Sequence, residues 1–273
     1  MRNLNRGNVI KEGLHAFIAA LQFLTRLPVN VQLDYNESVF RRSAVYYPAA
    51  GAVIGAILAA AGHLLALVLP PAPVAVVLVA IWAGVTGALH LDGLMDTADG
   101  LLSHRSRERA LEIMKDSRVG AMGVIAGVLL LMLKGSLLLY LLPLKGFWPA
   151  VLIAAPVLSR WFAVWAIAGW PYARAESGMG SLVDSVARRE AVQATVWAAA
   201  LCFAALLLYR LPPVQSAVCT FALFCLAGGA GFVLARGMAL KLGGLTGDTY
   251  GAIIESLECL ILLAAAAYAF NGF

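Results

Sequence analysis

Long unbroken apolar runs alternate along the chain with short polar segments, and the runs are too long for strands. Seven of them, roughly 45–69, 73–91, 119–142, 149–169, 191–209, 214–235 and 252–271, come close to the ~20 residues that a helix needs to cross the hydrocarbon core. Helices are the only sensible form for such segments, because an open strand in lipid leaves backbone groups unpaired. Prolines in "LPPAP" (69–73) and "RLPPV" (210–214) end helices and mark tight turns. Near the N-terminus, "HAFIAALQFL" (15–24) is too short to span, is preceded by charges and has no small-residue cleavage site after it. It predicts an interfacial or partly buried helix ending near Pro28. The pattern as a whole predicts an all-α, polytopic membrane helix bundle: about seven transmembrane helices plus the N-terminal helix, in a single membrane-embedded domain over 1–273.

Composition supports that class. The chain is 62% hydrophobic and only 13% charged, against about 25% charged in a soluble domain. Charge adds an orientation. Sixteen of the twenty Lys and Arg lie in segments 1–44, 92–118, 170–190 and 236–251, which seven crossings place on one side. The positive-inside rule makes that side cytoplasmic, with the N-terminus inside and the C-terminus outside. The acidic residues share these segments, or the first turns of the last span, so the polar chemistry is gathered on one face. Cys202, Cys219, Cys225 and Cys259 form no CxxC pair, so neither a zinc site nor a disulfide framework is expected. No nucleic-acid partner is expected. The Gly and Ala residues of 225–231 permit helix association, including self-association.

The segment "HLDGLMDTADG" (90–100) carries the candidate chemistry. At 100° per residue, Asp92, Asp96 and Asp99 fall within an arc of about 60° on one helix face. Carboxylates some 5 Å apart repel by about 3 kcal/mol per pair at an effective dielectric near 20. A shared proton or a divalent cation offsets this, and hard oxygen ligands suit Mg²⁺, Mn²⁺ or Ca²⁺. A second acidic pair, Asp248 and Glu255, is seven residues apart in "GGLTGDTYGAIIE", with Glu258 a weaker candidate. The glycines before it can approach a phosphate through their N–H groups. The cations follow. Arg118 closes "DSR" beside Asp116 and suits bidentate phosphate binding. Lys134 and Arg160 lie inside spans, where a charge is a functional candidate by default and usually has a partner. Arg105, Arg107 and Arg109 serve topology and headgroups equally well. His90 fits either a proton-transfer or a structural role. Together these residues predict phosphoryl transfer from a nucleotide-activated molecule to an alcohol. No Walker A motif or H-E-x-x-H is present, so ATP hydrolysis is not indicated.

At these residues the chain resembles the adenosylcobinamide-GDP ribazoletransferase (cobalamin 5′-phosphate synthase) family. The resemblance rests on "FLTRLPV" (23–29), "HLDGLMDTADG" (90–100), "RSRERALEIMKDSRVGAMG" (105–123), "YARAESG" (172–178) and "GGLTGDTYGA" (243–252) with Glu255, in that order. Lys134 and the Ser159-Arg160 pair also fall where the family has a lysine and a Ser-Arg. "YARAESGMG" departs from the family's more usual Glu-Gly-Leu-Gly ending. The resemblance implies a Mg²⁺-dependent enzyme of the cell inner membrane, with Mn²⁺ as a substitute. It implies transfer of cobinamide phosphate from adenosylcobinamide-GDP to α-ribazole or its 5′-phosphate, with release of GMP. The roles expected are Asp92, Asp96, Asp99, Asp116 and Asp248 as metal ligands, Asp248, Glu255 and Asp99 as catalytic groups, and Arg105, Arg118, Lys134 and Arg160 as phosphate binders. Membrane lipid, a second copy of the chain and other corrinoid-assembly enzymes are the further partners implied. Three other readings compete: a cation-coupled transporter, a lipid enzyme with the chemistry of the CDP-alcohol phosphotransferases, and a scaffold for corrinoid enzymes.

Overall fold

The computed structural model describes residues 6–144, 146–174 and 182–272, with side chains from residue 11 onward. Within these residues the chain forms α1 (Arg6–Leu24), α2 (Glu37–Ala44), α3 (Tyr47–Leu65), α4 (Pro71–Thr86), α5 (Leu89–Leu102), α6 (Arg107–Ile113), α7 (Ala121–Leu141), α8 (Trp148–Gly169), α9 (Arg188–Leu208), α10 (Pro213–Leu242) and α11 (Gly247–Phe270). Helices α3, α7, α8, α9, α10 and α11 are long and apolar enough to cross a membrane. The α4–α5 pair passes the same test only when taken as one span, and it is bent by 90° at its break. The chain is a multi-pass, all-α membrane protein.

Hydrophobicity on every side decides which helix is central. Helix α8 has no polar face, and nearly all of it is buried, as expected of a helix surrounded by others. Helix α3 packs against it through Gly51 and Gly55, four residues apart. A Cβ at Gly51 would overlap the Pro156 carbonyl, and one at Gly55 the Leu152 carbonyl. The two backbones therefore touch, in the manner of small-residue crossings in membranes. Gly51→Ala is expected to cost about 1–3 kcal/mol by forcing α3 off α8, read as a lower unfolding temperature of the detergent-solubilised protein. Alanines 191, 194 and 198 and Cys202 give α9 a similarly thin face against α8.

Two expectations change. The first helix is 19 residues long instead of about ten. Its polar start continues along the surface, where Glu12 pairs with Arg42 at 2.6 Å. Helix α4 stops at Thr86 instead of running to 91, because Gly87 and Ala88 both adopt left-handed backbone (φ 63° and 56°) and turn the chain. Such a conformation is unfavourable for alanine by roughly 1 kcal/mol. The bend converts the polar stretch after it into α5, which lies across the end of the bundle. Of the small-residue stretch at 225–231, Gly228 and Gly231 pack against Trp161 and Phe162 of α8, while Cys225 and Gly229 face outward.

Candidate active site

The crossing of α5 and α11 builds the site. A Cβ on Gly93 would lie 2.8 Å from the Asp248 carbonyl oxygen, and one on Gly251 would lie 2.9 Å from that of His90. Only glycines allow the two backbones this close, and the crossing sets the acidic face of α5 against the first turn of α11. Of the second acidic pair expected from sequence, Asp248 thus meets the acids of α5 across some 150 residues of chain, while Glu255 turns to Lys134. Thr246 starts α11 by accepting the Thr249 N–H, while the Thr249 hydroxyl accepts the Thr246 N–H. This closed cap fixes the direction in which Asp248 leaves the helix.

A second loop completes the site. The Leu245 N–H donates to the Pro171 carbonyl (2.9 Å) and the Ala173 N–H to the Leu245 carbonyl (2.7 Å). This short bridge delivers Arg174, whose Nη2 donates to Asp248 Oδ2 at 2.7 Å. By sequence Arg174 is one of the basic residues of segment 170–190 that set orientation. Its place inside the "YARAESG" motif is the signal that could have singled it out. Residues 175–181 of the same stretch lie outside the described residues.

The charges are unevenly matched. Asp96 is half-buried beside Asp92, Asp248 and Asp99. Burial first, and those three carboxylates next, push its carboxyl up to about 6. Burial and a like charge both disfavour the ionised form. Arg174 is the cation acting against this. Among the described residues no three His, Cys, Asp or Glu side chains already converge as a metal-holding group. The donor chemistry nevertheless suits a hard cation: Asp92, Asp96 and Asp248 offer carboxylate oxygens from two touching helices, with excess negative charge.

Other expected site residues are placed elsewhere. Asp99 accepts the Gly120 and Gly123 N–H groups, both at 2.7 Å, and so caps the start of α7 while staying near enough to Asp96 to raise its carboxyl. Asp116 is exposed and grips Arg118 through two side-chain hydrogen bonds of 3.0 and 2.7 Å, which hold its carboxyl down at about 2. Both residues point to solvent. Arg105 is also exposed.

Lys134 and Arg160 are fully buried and do not reach the acidic site. Lys134 Nζ donates to Glu255 (2.7 Å) and Glu258 (2.8 Å) and sits 4.2 Å from the centre of the Trp82 ring. Arg160 pairs with Glu258, and its Nη2 lies 3.3 Å from His90 Nδ1. Two cations and two carboxylates form a neutral cluster inside the bundle. Lys134 and Arg160, expected as phosphate binders, and Glu255, expected as a catalytic group, are engaged with one another's counter-ions in this cluster. A buried ion needs its counter-ion more than a distant ligand does. Glu258, the weaker candidate by spacing, is the centre of this cluster.

Beside the acidic group, α5 and α11 roof a cavity of about 240 Å³. Asp92, His90, Asp248 and Arg174 line it at one end, and aromatic and aliphatic side chains from α1, α2, α3, α8 and α11 line the rest.

Comparison with known proteins agrees in extent with this arrangement. A family model described as cobalamin-5-phosphate synthase matches residues 16–266. An adenosylcobinamide-GDP ribazoletransferase of Brevibacillus brevis is 42% identical over 251 residues, covering 92% of this chain and 97% of the relative. Proteins with the same name from Desulfitobacterium hafniense (41% identical, 90% of this chain and 94% of the relative) and Pseudomonas aeruginosa (38%, 94% and 100%) are similar over as great a length. No solved structure matches the chain.

Proposed function

We propose, for a chain that belongs to the cobalamin-5-phosphate synthase family, that it transfers cobinamide phosphate from adenosylcobinamide-GDP to α-ribazole or its 5′-phosphate. This closes the nucleotide loop of cobalamin. A ribazole hydroxyl forms a new P–O bond at the phosphate joined to cobinamide, and the bond to GMP breaks. The observation that carries this reading is the meeting of Asp92, Asp96, Asp248 and Arg174 at the mouth of a nucleoside-sized cavity. A transporter is not favoured, because these acids gather at one end of the bundle and the buried charges near its middle cancel.

Asp92 and Asp96 are the oxygen donors for Mg²⁺, or Mn²⁺ in its place, which when bound neutralises charge on the diphosphate. Asp248 takes the proton of the attacking hydroxyl, and Arg174 holds that carboxylate in position. Arg174 also brings positive charge to the phosphate side of the site. His90 links the cavity to the neutral cluster, so the cluster fixes α5 against α8 and α11. The predominance of basic residues at this end supports a cytoplasmic active face in the inner membrane, with the N-terminus inside and the C-terminus outside. Exposed apolar residues such as Phe232, Val233 and Leu240 of α10 supply contact with lipid.

The test is direct. The purified chain, given adenosylcobinamide-GDP, α-ribazole and Mg²⁺, is expected to release one GMP per cobalamin formed; no GMP above a blank ends the proposal. The metal role adds a pH dependence. A carboxyl raised to about 6 is neutral below that pH and charged above it, so metal competes with a proton only on the acid side. Apparent Mg²⁺ affinity is expected to fall about tenfold per pH unit below 6 and to level off above it. A flat Mg²⁺ titration between pH 5 and 8 removes Asp96 from the metal site.

A further inference from the structure

We infer that the cavity beneath the acidic group seats the flat base of the acceptor nucleoside, and that Tyr47 and Tyr250 bind it. This assignment rests on the transferase reading given above. Both tyrosines line the cavity, both are more than nine-tenths buried, and neither hydroxyl has a hydrogen-bond partner. Ser43 lies close to the Tyr47 hydroxyl and donates its Oγ–H to the Phe40 carbonyl at 2.7 Å, but the two hydroxyls are not in hydrogen-bonding geometry. A buried hydroxyl without a partner is costly, and two around one cavity indicate a ligand that satisfies them.

Shape and polarity choose between the two substrates. About 240 Å³ lies below the ~300–1,000 Å³ usual for drug-sized ligands, so a corrin ring is excluded and one fused ring system is accommodated. Guanine presents hydrogen-bonding groups around most of its edge and would leave them unpaired against Phe23, Phe40 and Ile254. The benzimidazole of ribazole is apolar apart from one free ring nitrogen, its other nitrogen being bonded to the ribose, so it matches that lining, accepts from one tyrosine hydroxyl and leaves the second to a ribose oxygen. The Phe23 and Tyr47 rings are stacked, 6.0 Å apart and 19° from parallel, and form a flat wall against which such a base can lie. With the base inside, the ribose emerges where Asp92 and Asp248 line the same cavity. That brings an acceptor hydroxyl to the carboxylate that takes its proton.

The test uses the full-length protein in detergent and the conservative variants Tyr47→Phe and Tyr250→Phe, checked for unchanged elution and unfolding temperature. Equilibrium binding of α-ribazole and of free 5,6-dimethylbenzimidazole is measured beside steady-state turnover. Each variant is expected to weaken nucleoside binding and raise its KM about 5- to 30-fold, with the donor KM within about twofold of wild type. The free base is expected to compete with α-ribazole and not with adenosylcobinamide-GDP. Wild-type turnover with nucleoside affinity unchanged in both variants, or a rise in donor KM instead, overturns the cavity assignment alone. Tyrosine-dependent binding by a wild-type protein that releases no GMP keeps the cavity assignment and overturns the transferase reading. A wild-type protein that neither binds nor turns over overturns both.

Discussion

Asp96→Asn lowers GMP release by about a thousandfold or more and leaves the unfolding temperature unchanged or slightly raised. Asn is nearly the same size and occupies the same half-buried place on α5, so packing is kept. What disappears is the charge, at the position where Asp92, Asp248 and Asp99 already crowd the carboxyl and push it up to about 6. In the folded state that crowding is unfavourable, so its removal does not destabilise. For activity the same charge is needed, because a neutral amide is a poor ligand for Mg²⁺ and cannot balance the charge of a diphosphate in flight. A loss of about 4 kcal/mol in the transition state corresponds to about 10³ in rate. Wild-type turnover by folded Asp96→Asn protein would sink the metal role.

The other large effect lies away from the site. Glu258→Gln removes the carboxylate that faces both Lys134 and Arg160 and leaves two cations beside Glu255 alone. Breaking a buried pair on one side costs about 3–5 kcal/mol, a large share of a total stability of about 5–15 kcal/mol, and is expected to lower the yield of folded protein. Arg160→Met is expected to do the same from the opposite sign. The double variant Arg160→Met with Glu258→Gln leaves the matched pair Lys134–Glu255, and it is expected to recover most of the folded yield. Recovery measures the pairing itself, since neither single change can compensate a lost phosphate contact. Single variants that fold as well as wild type would show that the buried ions are not held by one another.

Features written in one segment were legible from sequence, and those arising between segments were legible only in part. Asp92, Asp96 and Asp99 share a face because helical spacing requires it. The apolar runs that become α3, α7, α8, α9 and α11 are limited by membrane thickness, and their ends lie within a few residues of those expected. The meeting of Asp92 with Asp248 followed from charge, since uncompensated acids in two segments call for one cation. Spacing could not tell that Asp99 turns to the N–H groups of α7, because that depends on where α7 begins relative to α5. Nor could it separate a phosphate-binding lysine from one neutralised by Glu255 and Glu258, which lie more than a hundred residues away. Arg174 was hidden for a related reason. Its partner comes through the bridge between Tyr172 and Leu245, and nothing local predicts that two loops join.

The right-angle turn at Gly87 and Ala88 has a bearing on how two dissimilar reactants come together. A helix that continued straight would carry Asp92 and Asp96 away from the mouth of the cavity and from Asp248. Because α5 turns across the bundle, it carries Asp92 to the cavity, where Asp248 and Arg174 also line the wall, and keeps the aromatic and aliphatic lining beyond them. The nucleotide-bearing reactant keeps its hydration until its phosphates reach the acids, and the flat aromatic one sheds its hydration on entry. Reactants sorted this way meet at the donor's phosphorus, and the apolar lining keeps water, the competing nucleophile, from the side on which the acceptor arrives.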